Sequence, residues 1–585
     1  MAETTQAPPP GGPKLPDFAS IKKAVVDSQV WRSMFRGGVW KDTPRDRAAH
    51  VIGNVWLHLH PVRVRKRALE WTYSWGLGGI SFLLFLILTV TGVLLMFYYR
   101  PTVDLAYRDM KDLEFAVTLG KLMRNMHRWS AQAMVVFVIL HMVRVFLTGA
   151  YKKPREFNWG VGVLLLTLTL FLSFTGYLLP WDQLAMWAVT VGTNMAGATP
   201  FLGNEGPFGT MMGMRINNDV RFTLLGGTMV GENTLVRFYV LHCVAVPLLV
   251  GVLLIVHFWR VRKDSFSAAP RDPGEEKAEV WPHLITREYI AAAGCMVAIL
   301  LWSVLMNAPL EVMANPNVTP NPSKAPWYFV GLQELLVYFD PWIAGVMLPN
   351  LIIVGLMAIP YLDINPKGVG QYAWGERKFA NVLFLLGVAM WFILIYIGYY
   401  CRGPNFAWYW PWESWLTQKA APPFTWNLFG PDPQWRMLVG HDPQWKVLVD
   451  PPVANVSVLP IWLGLPVIGG GFALAMALPK LVQKEIKSGL AHVLFFGAMA
   501  LLVVLLHFAV KVPFSQGLWL PFFGYLAFYF GFLLPQRHIR SLEWTRYLIT
   551  MFFVVSMMGV LVKMGARLGF NIKYLLTLPA VSLNI

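Results

Sequence analysis

The chain alternates between long apolar runs and shorter polar segments, and the length of the runs decides what they are. Eleven apolar stretches lie near 76–98, 122–148, 160–179, 236–259, 288–306, 342–360, 380–400, 456–479, 489–510, 516–534 and 546–565. A helix rises about 1.5 Å per residue and a bilayer core is roughly 30 Å thick, so each run is long enough to cross as a helix. Within lipid the helix also satisfies its own backbone groups. The pattern predicts an all-α, polytopic membrane helix bundle of about eleven spans. Composition agrees: of 585 residues, 56% are hydrophobic and 14% charged, against about 25% charged in soluble domains. A soluble multidomain enzyme is excluded. The net charge of +17 would point to nucleic acid in a soluble chain. Here the basic residues cluster between apolar runs, which membrane orientation explains, and no nucleic-acid partner is expected.

Those clusters set the direction of each span. Arg63, Arg65, Lys66 and Arg67 precede the first span; Lys152, Lys153 and Arg155 follow the second; Arg260, Arg262 and Lys263 follow the fourth. Lys367, Arg377 and Lys378 precede the seventh, Lys480, Lys484 and Lys487 follow the eighth, and Arg537, Arg540 and Arg546 separate the last two. With eleven spans all of these fall on one side, placing the N-terminus in the cytoplasm and the C-terminus outside. The first 40 residues are polar and Pro-rich without a signal-peptide core. The opposite side carries the longer loops 180–235, 307–341 and 401–455. The last holds a tandem decamer, Gly430-Pro-Asp-Pro-Gln-Trp-Arg-Met-Leu-Val and Gly440-His-Asp-Pro-Gln-Trp-Lys-Val-Leu-Val, read as a duplicated amphipathic lid. The chain divides into an interfacial segment 1–75, a four-span unit 76–264, a charged linker 265–286, a second unit 287–400, the Trp/Pro-rich loop 401–455 and a four-span block 456–585. Cys243, Cys295 and Cys401 are too scattered for a disulfide framework, a cysteine zinc site, an iron–sulfur cluster or covalent c-type haem.

Histidine placement carries the chemistry. His127 and His141 stand 14 residues apart on the second span, and His242 and His257 stand 15 apart on the fourth. Each pair is separated by roughly 21–23 Å along its helix and returns within about 40–60° to the same face. Both spans run in the same direction, so His127 meets His242 near one surface and His141 meets His257 near the other. Two bis-histidine sites stacked across a membrane suit two b-type haems, with the two irons' four ligands supplied in pairs. Gly78 and Gly92 on the first span, and Gly162 and Gly176 on the third, repeat at the same interval and let a flat macrocycle approach the backbone at two depths. Arg128 and Arg144, each close to a ligand histidine, are candidates to pair with haem propionates. His492 and His507 on the ninth span have no partners at matching depth and read as interfacial.

With those residues in hand, the chain resembles cytochrome b of the Rieske/cytochrome b complexes, the quinol:cytochrome c or plastocyanin oxidoreductases, over about residues 45–400. The similarity rests on Tyr98-Tyr-Arg-Pro-Thr-Val, His127-Arg-Trp-Ser-Ala, Leu147-Thr-Gly-Ala-Tyr-Lys-Lys-Pro-Arg-Glu, Thr175-Gly-Tyr-Leu-Leu-Pro-Trp-Asp-Gln and Arg237-Phe-Tyr-Val-Leu-His. It implies a diheme four-helix core in 76–264 and an outer quinol site completed by 287–400. Three departures stand out. Gly76 precedes Leu77-Gly78-Gly79-Ile80 where the plastoquinol branch has a haem-attaching cysteine, so no covalent haem is expected. Ala325-Pro326-Trp327-Tyr328 stands where the family has Pro-Glu-Trp-Tyr, which removes the proton-accepting glutamate. Residues 455–585 add four spans.

The resemblance implies quinol oxidation at the outer face. One electron passes to a Rieske iron–sulfur protein beside a c-type cytochrome, and the other crosses the membrane to an inner quinone site. The setting implied is a dimer of complexes in a bacterial inner membrane. Glu334, in Gly331-Leu-Gln-Glu-Leu-Leu, is the first candidate for the displaced proton acceptor, because a carboxylate in an apolar run is costly unless paired or functional, and Asp182, just after Leu-Leu-Pro-Trp, is the second. Tyr177 and Tyr328 are candidates to hydrogen-bond quinol, and Arg262, with Lys263 and Asp264, to bind quinone at the inner site. A diheme anchor for a dehydrogenase or hydrogenase, and a channel or transporter with structural histidines, are the alternatives.

Overall fold

A computed structural model of the chain describes residues 17–585 apart from 35–41, 56, 271, 273, 417, 418, 420–424, 432–455, 483–487 and 511–517. The apolar runs are helices: α1 Leu77–Met96, α2 Gly120–Leu147, α3 Glu156–Leu178, a short α4 Gln183–Gly197, α5 Glu232–Asp264 and α6 His283–Leu305. A second short helix, α7 Trp327–Tyr338, precedes α8 Trp342–Leu362 and α9 Lys378–Tyr400. The last block holds α10 Ile461–Leu481, α11 Ser488–Val510, α12 over 519–538 and α13 Trp544–Phe570. Nine of these are long and apolar enough to span a membrane among the described residues; α11 and α12 account for the remaining two expected runs. The chain is a multi-pass membrane protein. Its two faces are distinguished here as the loop face, with 180–235 and 307–326, and the basic face, with 148–155 and 363–378.

Two features differ from the expectation. Residues 456–460 form a strand rather than the start of a span, because Pro460 has extended backbone and α10 begins after it. Short strands also occur in a chain expected to be all helical. β1 Arg63–Arg65 pairs antiparallel with β2 Lys277–Glu279, so the charged linker folds back onto the segment before the first span, burying Val64, Tyr73, Ala268 and Val280 together. At the loop face, β3 Trp426–Gly430 lies between β4 Val456–Pro460 and β5 Ile572–Leu578, both parallel to it, and β5 continues into β6 Leu583–Asn584. The tandem decamer falls almost wholly outside the described residues.

The two halves are riveted at both faces. At the loop face Arg124 donates to the carbonyls of Ala308 and Pro309, and the Asn125 amide exchanges hydrogen bonds with Ser303 and Ala308. At the basic face Asp363 collects Tyr151, Lys152 at 3.1 Å and Arg377 at 3.8 Å, and Arg377 also donates to the Phe146 and Leu147 carbonyls. The largest apolar core joins the added block to the second half: Leu335, Tyr338, Ile343 and Leu394 pack with Phe523, Tyr547, Met551 and Met558. Residues 456–585 are therefore built onto the second half rather than standing apart.

Candidate functional site

The two histidine pairs meet as the spacing predicts. The ring centres of His127 and His242 are 6.2 Å apart near the loop face, and His141 and His257 lie within electrostatic reach of each other deeper toward the basic face. Two imidazoles that each bind one metal at about 2 Å place their ring centres roughly 6 Å apart, so the first pair has a fitting separation. The unequal spacings, 14 and 15 residues, are reconciled by a π-helical turn at Leu241–Ala245, which contains His242. A π turn takes up one extra residue, leaving the two helices with matching numbers of regular steps between ligands.

Each histidine ring lies against one of the four glycines, on the neighbouring helix. A Cβ at Gly92 would come within 3.2 Å of His127 Cε1, at Gly78 within 3.2 Å of His141 Cε1, at Gly162 within 3.8 Å of His257 Cε1, and at Gly176 within 2.3 Å of His242 Cε1. Each of the four glycines therefore makes room for an imidazole. Sequence reasoning missed the threonines beside two of them. Thr91 Oγ1 is 2.9 Å from His127 Nδ1, and Thr175 Oγ1 is 3.1 Å from His242 Nδ1. The signal was present as a Thr-Gly dipeptide on each helix at the same depth. Fixing Nδ1 in this way orients the ring and leaves Nε2 for a metal. At the deeper level Leu77 and Val161 precede the glycines, and Nδ1 of His141 and of His257 is buried without a hydrogen-bond partner among the described residues, although His257 approaches the Asn158 carbonyl.

At the loop face, the Arg128 guanidinium stands 4.6 Å over the Tyr177 ring, and the Tyr177 hydroxyl has Arg128, Asp182, Tyr328 and Glu311 as its electrostatic neighbours. Tyr328 is buried against Trp327 and Phe329. Arg128 and the two tyrosines thus lie together at the loop-face end of the bundle. The two expected proton acceptors are committed elsewhere. Glu334 is fully buried, and Arg402 grips it at 2.7 and 2.9 Å while the Tyr338 hydroxyl donates to it at 2.6 Å, so its carboxylate already carries three hydrogen bonds. Asp182 caps α4, accepting from the Ala185 N–H at 2.9 Å and the Glu311 N–H at 3.1 Å. Burial pushes its carboxyl up, but both oxygens serve the backbone.

At the basic face, Arg144 donates to the Tyr73 carbonyl at 2.9 Å and lies 4.6 Å over the Tyr73 ring. Arg262 donates to the His58 carbonyl, Asp264 pairs with Arg260 at 3.0 Å, and Lys263 sits 5.2 Å over Trp259. Arg262 and Asp264 are thus engaged in closing the end of α5, and the expected inner-site triad is not brought together as a group. His492 packs against the rings of Tyr525 and Tyr529.

Residues 65–265 match the family described as cytochrome b/b6/petB, and residues 313–414 match cytochrome b(C-terminal)/b6/petD. The chain belongs to the cytochrome b/b6 family. Cytochrome b6 of Porphyra purpurea is 44% identical over 191 residues, 33% of this chain and 82% of that protein. The Euglena gracilis and Acaryochloris marina cytochromes b6 are 43% and 41% identical over the same length and the same shares. A chain of a hyperthermophilic respiratory Complex III has the same fold, with a TM-score of 0.50 and 21% identity over 65% of this chain and 90% of that one. As a cytochrome b/b6-family member, the chain is a redox electron-transfer subunit of the cytochrome bc type, and b-type haem is the family's cofactor. The residues present fit that group: the paired imidazoles, two with Nδ1 already engaged, are neutral nitrogen donors facing one another between apolar helices.

Proposed function

We propose that this cytochrome b carries two non-covalent b-type haems and oxidises quinol at the loop face, which is the outer side of a bacterial inner membrane. His127 and His242 hold the outer haem, and His141 and His257 the inner one. The observation that carries this reading is the histidine arrangement itself: two pairs at matching depth, each ring seated on its own glycine. When bound, the haems supply one-electron transfer between the two faces. The chain's residues do the rest. Thr91 and Thr175 fix the tautomers of the outer ligands, and Tyr177, Arg128 and Tyr328 form the polar wall against which a quinol head group is held. The 311–318 segment closes that wall by pairing with 181–183.

One electron from each quinol goes to a Rieske iron–sulfur protein that works with a c-type cytochrome. The other reaches a quinone at the inner face, and complexes pair as dimers. The anchor alternative has no use for the Tyr177–Arg128–Tyr328 cluster, which favours the quinol reading. Reduced-minus-oxidised spectra of the purified chain, before and after acid–acetone extraction, test the haem assignment. Two b-type components, both extractable, are expected; a chain without a b-type band, or with haem retained on a denaturing gel, contradicts it.

A further inference from the structure

Quinol oxidation releases two protons with its two electrons, and the position at which this family is expected to carry a proton-accepting carboxylate is Pro326 here. Glu334 is locked to Arg402, and Asp182 is locked to two backbone N–H groups. Glu114, also at the loop face, is held by Asn307 at 2.6 Å and lies 3.7 Å from Lys111. Glu311 differs from all three. Its side chain is exposed and makes no hydrogen bond or ion pair to a described residue, yet its backbone is held firmly: its N–H donates to Asp182, and its carbonyl accepts from the Tyr107 hydroxyl at 2.9 Å. The next residues are stitched to the end of α3, with the Gln183 N–H donating to Val312 and the Ala314 N–H to Trp181. Among the charged neighbours of the Tyr177 hydroxyl are Arg128, Asp182 and Glu311. Of the two carboxylates, only Glu311 has free oxygens.

We propose that Glu311 accepts the proton that quinol releases at the Tyr177–Tyr328 wall and passes it to water on the outer side, replacing the carboxylate absent at Pro326. The assignment rests on the quinol-oxidising reading above. In the balanced step, the quinol O–H bond breaks, its proton travels by way of the Tyr177 hydroxyl to a Glu311 carboxylate oxygen, and the electrons leave one at a time to the iron–sulfur partner and the haem pair. Glu311 then loses the proton to solvent and is ready for the second. A water-exposed carboxylate is suited to this because it can hand a proton directly to solvent, and its backbone is fixed to Asp182 and to the Tyr107 hydroxyl.

The test uses Glu311→Gln, Glu311→Ala and Glu311→Asp in the full complex, with haem content and dithionite difference spectra measured first. The substitutions are on an exposed side chain and should leave both unchanged. Quinol-dependent turnover should fall about 100-fold in the Gln and Ala variants and be substantially restored in the Asp variant. The acidic limb of the pH–rate profile should vanish from Glu311→Gln. Unaltered turnover and pH profile in Glu311→Gln, or loss in Asp equal to that in Ala with intact haem, overturn the assignment. If the unaltered complex fails to oxidise quinol, the functional reading itself falls, and this assignment with it.

Discussion

Replacing each of the four glycines by alanine gives a graded outcome that the geometry sets in advance. At Gly176 the new Cβ would sit 2.3, 2.8 and 2.9 Å from Cε1, Nε2 and Nδ1 of His242, so one face of a rigid ring is struck along its whole edge. Carbon atoms are at ease near 3.5–4.0 Å, and the ring must therefore retreat by more than about 1 Å. Retreat breaks the 3.1 Å contact with Thr175, worth about 1 kcal/mol, and overpacking adds about 1–3 kcal/mol. Together these weaken haem retention at the outer site by roughly 30- to 1,000-fold. At Gly78 and Gly92 the closest approach is 3.2 Å, to a single ring carbon; a shift of a few tenths of an ångström relieves it. At Gly162 the 3.8 Å distance is ordinary contact, and alanine there gains up to about 1 kcal/mol of helix propensity. Haem content and redox-titrated difference spectra of the purified variants provide the assay. Gly176→Ala should lose the His127/His242 component, Gly78→Ala and Gly92→Ala should keep both haems with altered potentials, and Gly162→Ala should resemble the unaltered protein. Loss of the inner component in Gly162→Ala as severe as the outer loss in Gly176→Ala would refute the reasoning. It would mean that the glycines clear a path for the macrocycle rather than for the imidazoles.

Three further outcomes are expected. His127→Leu and His141→Leu should each remove a different spectral component, and loss of the same component from both would disprove the pairing by depth. Arg402→Ala strands the fully buried Glu334 carboxylate, which costs about 3–5 kcal/mol, whereas Glu334→Gln with Arg402→Gln should recover much of the loss; the half-life of the haem absorbance at elevated temperature reports both, and an unchanged half-life in Arg402→Ala contradicts the account. Burial pushes the Lys324 amine down to about 8, beside Trp415 and Tyr399. Between that value and the ordinary 10.5 the unfolded chain binds the proton more tightly, so the cost of burying Lys324 is full below about 8 and diminishes as pH rises through this window. Amine acylation followed by mass spectrometry should show Lys324 titrating near 8, and a midpoint near 10.5 would show the amine to be solvated.

Much of this arrangement was legible in the order of residues. Apolar length placed the helices to within a few residues, because membrane thickness imposes one length on all of them. The histidine pairing followed from two intervals and a shared direction. Other features depended on contacts between distant segments. Nothing in Gly331-Leu-Gln-Glu-Leu-Leu announces that Arg402, 68 residues away, will enclose Glu334. The π turn at His242 leaves no compositional mark, although the 15-residue interval was its trace. Asp182 read as a candidate base because its carboxylate follows a proline-tryptophan pair; that it caps α4 depends on where the chain turns next. Glu311 went unnoticed because an exposed glutamate in a loop is unremarkable until the loop is seen folded against the tyrosines.

The apolar core that joins the added block to the second half has a consequence for assembly. Trp342 donates to the Asn584 carbonyl across 242 residues of sequence, and Asn584 reaches Asp340 at 3.1 Å, so the contact is closed by residues made long after the first half has been inserted. Were the block a separate subunit, it would have to find this surface by diffusion in the bilayer. Carried on the same polypeptide, it meets its docking surface at an effective concentration on the order of millimolar, and its copy number cannot drift from that of the cytochrome. The joint therefore needs only shape and modest affinity to stay shut. Severing the chain within 401–455 would turn a fold into a complex and expose how much of the cohesion was supplied by the tether.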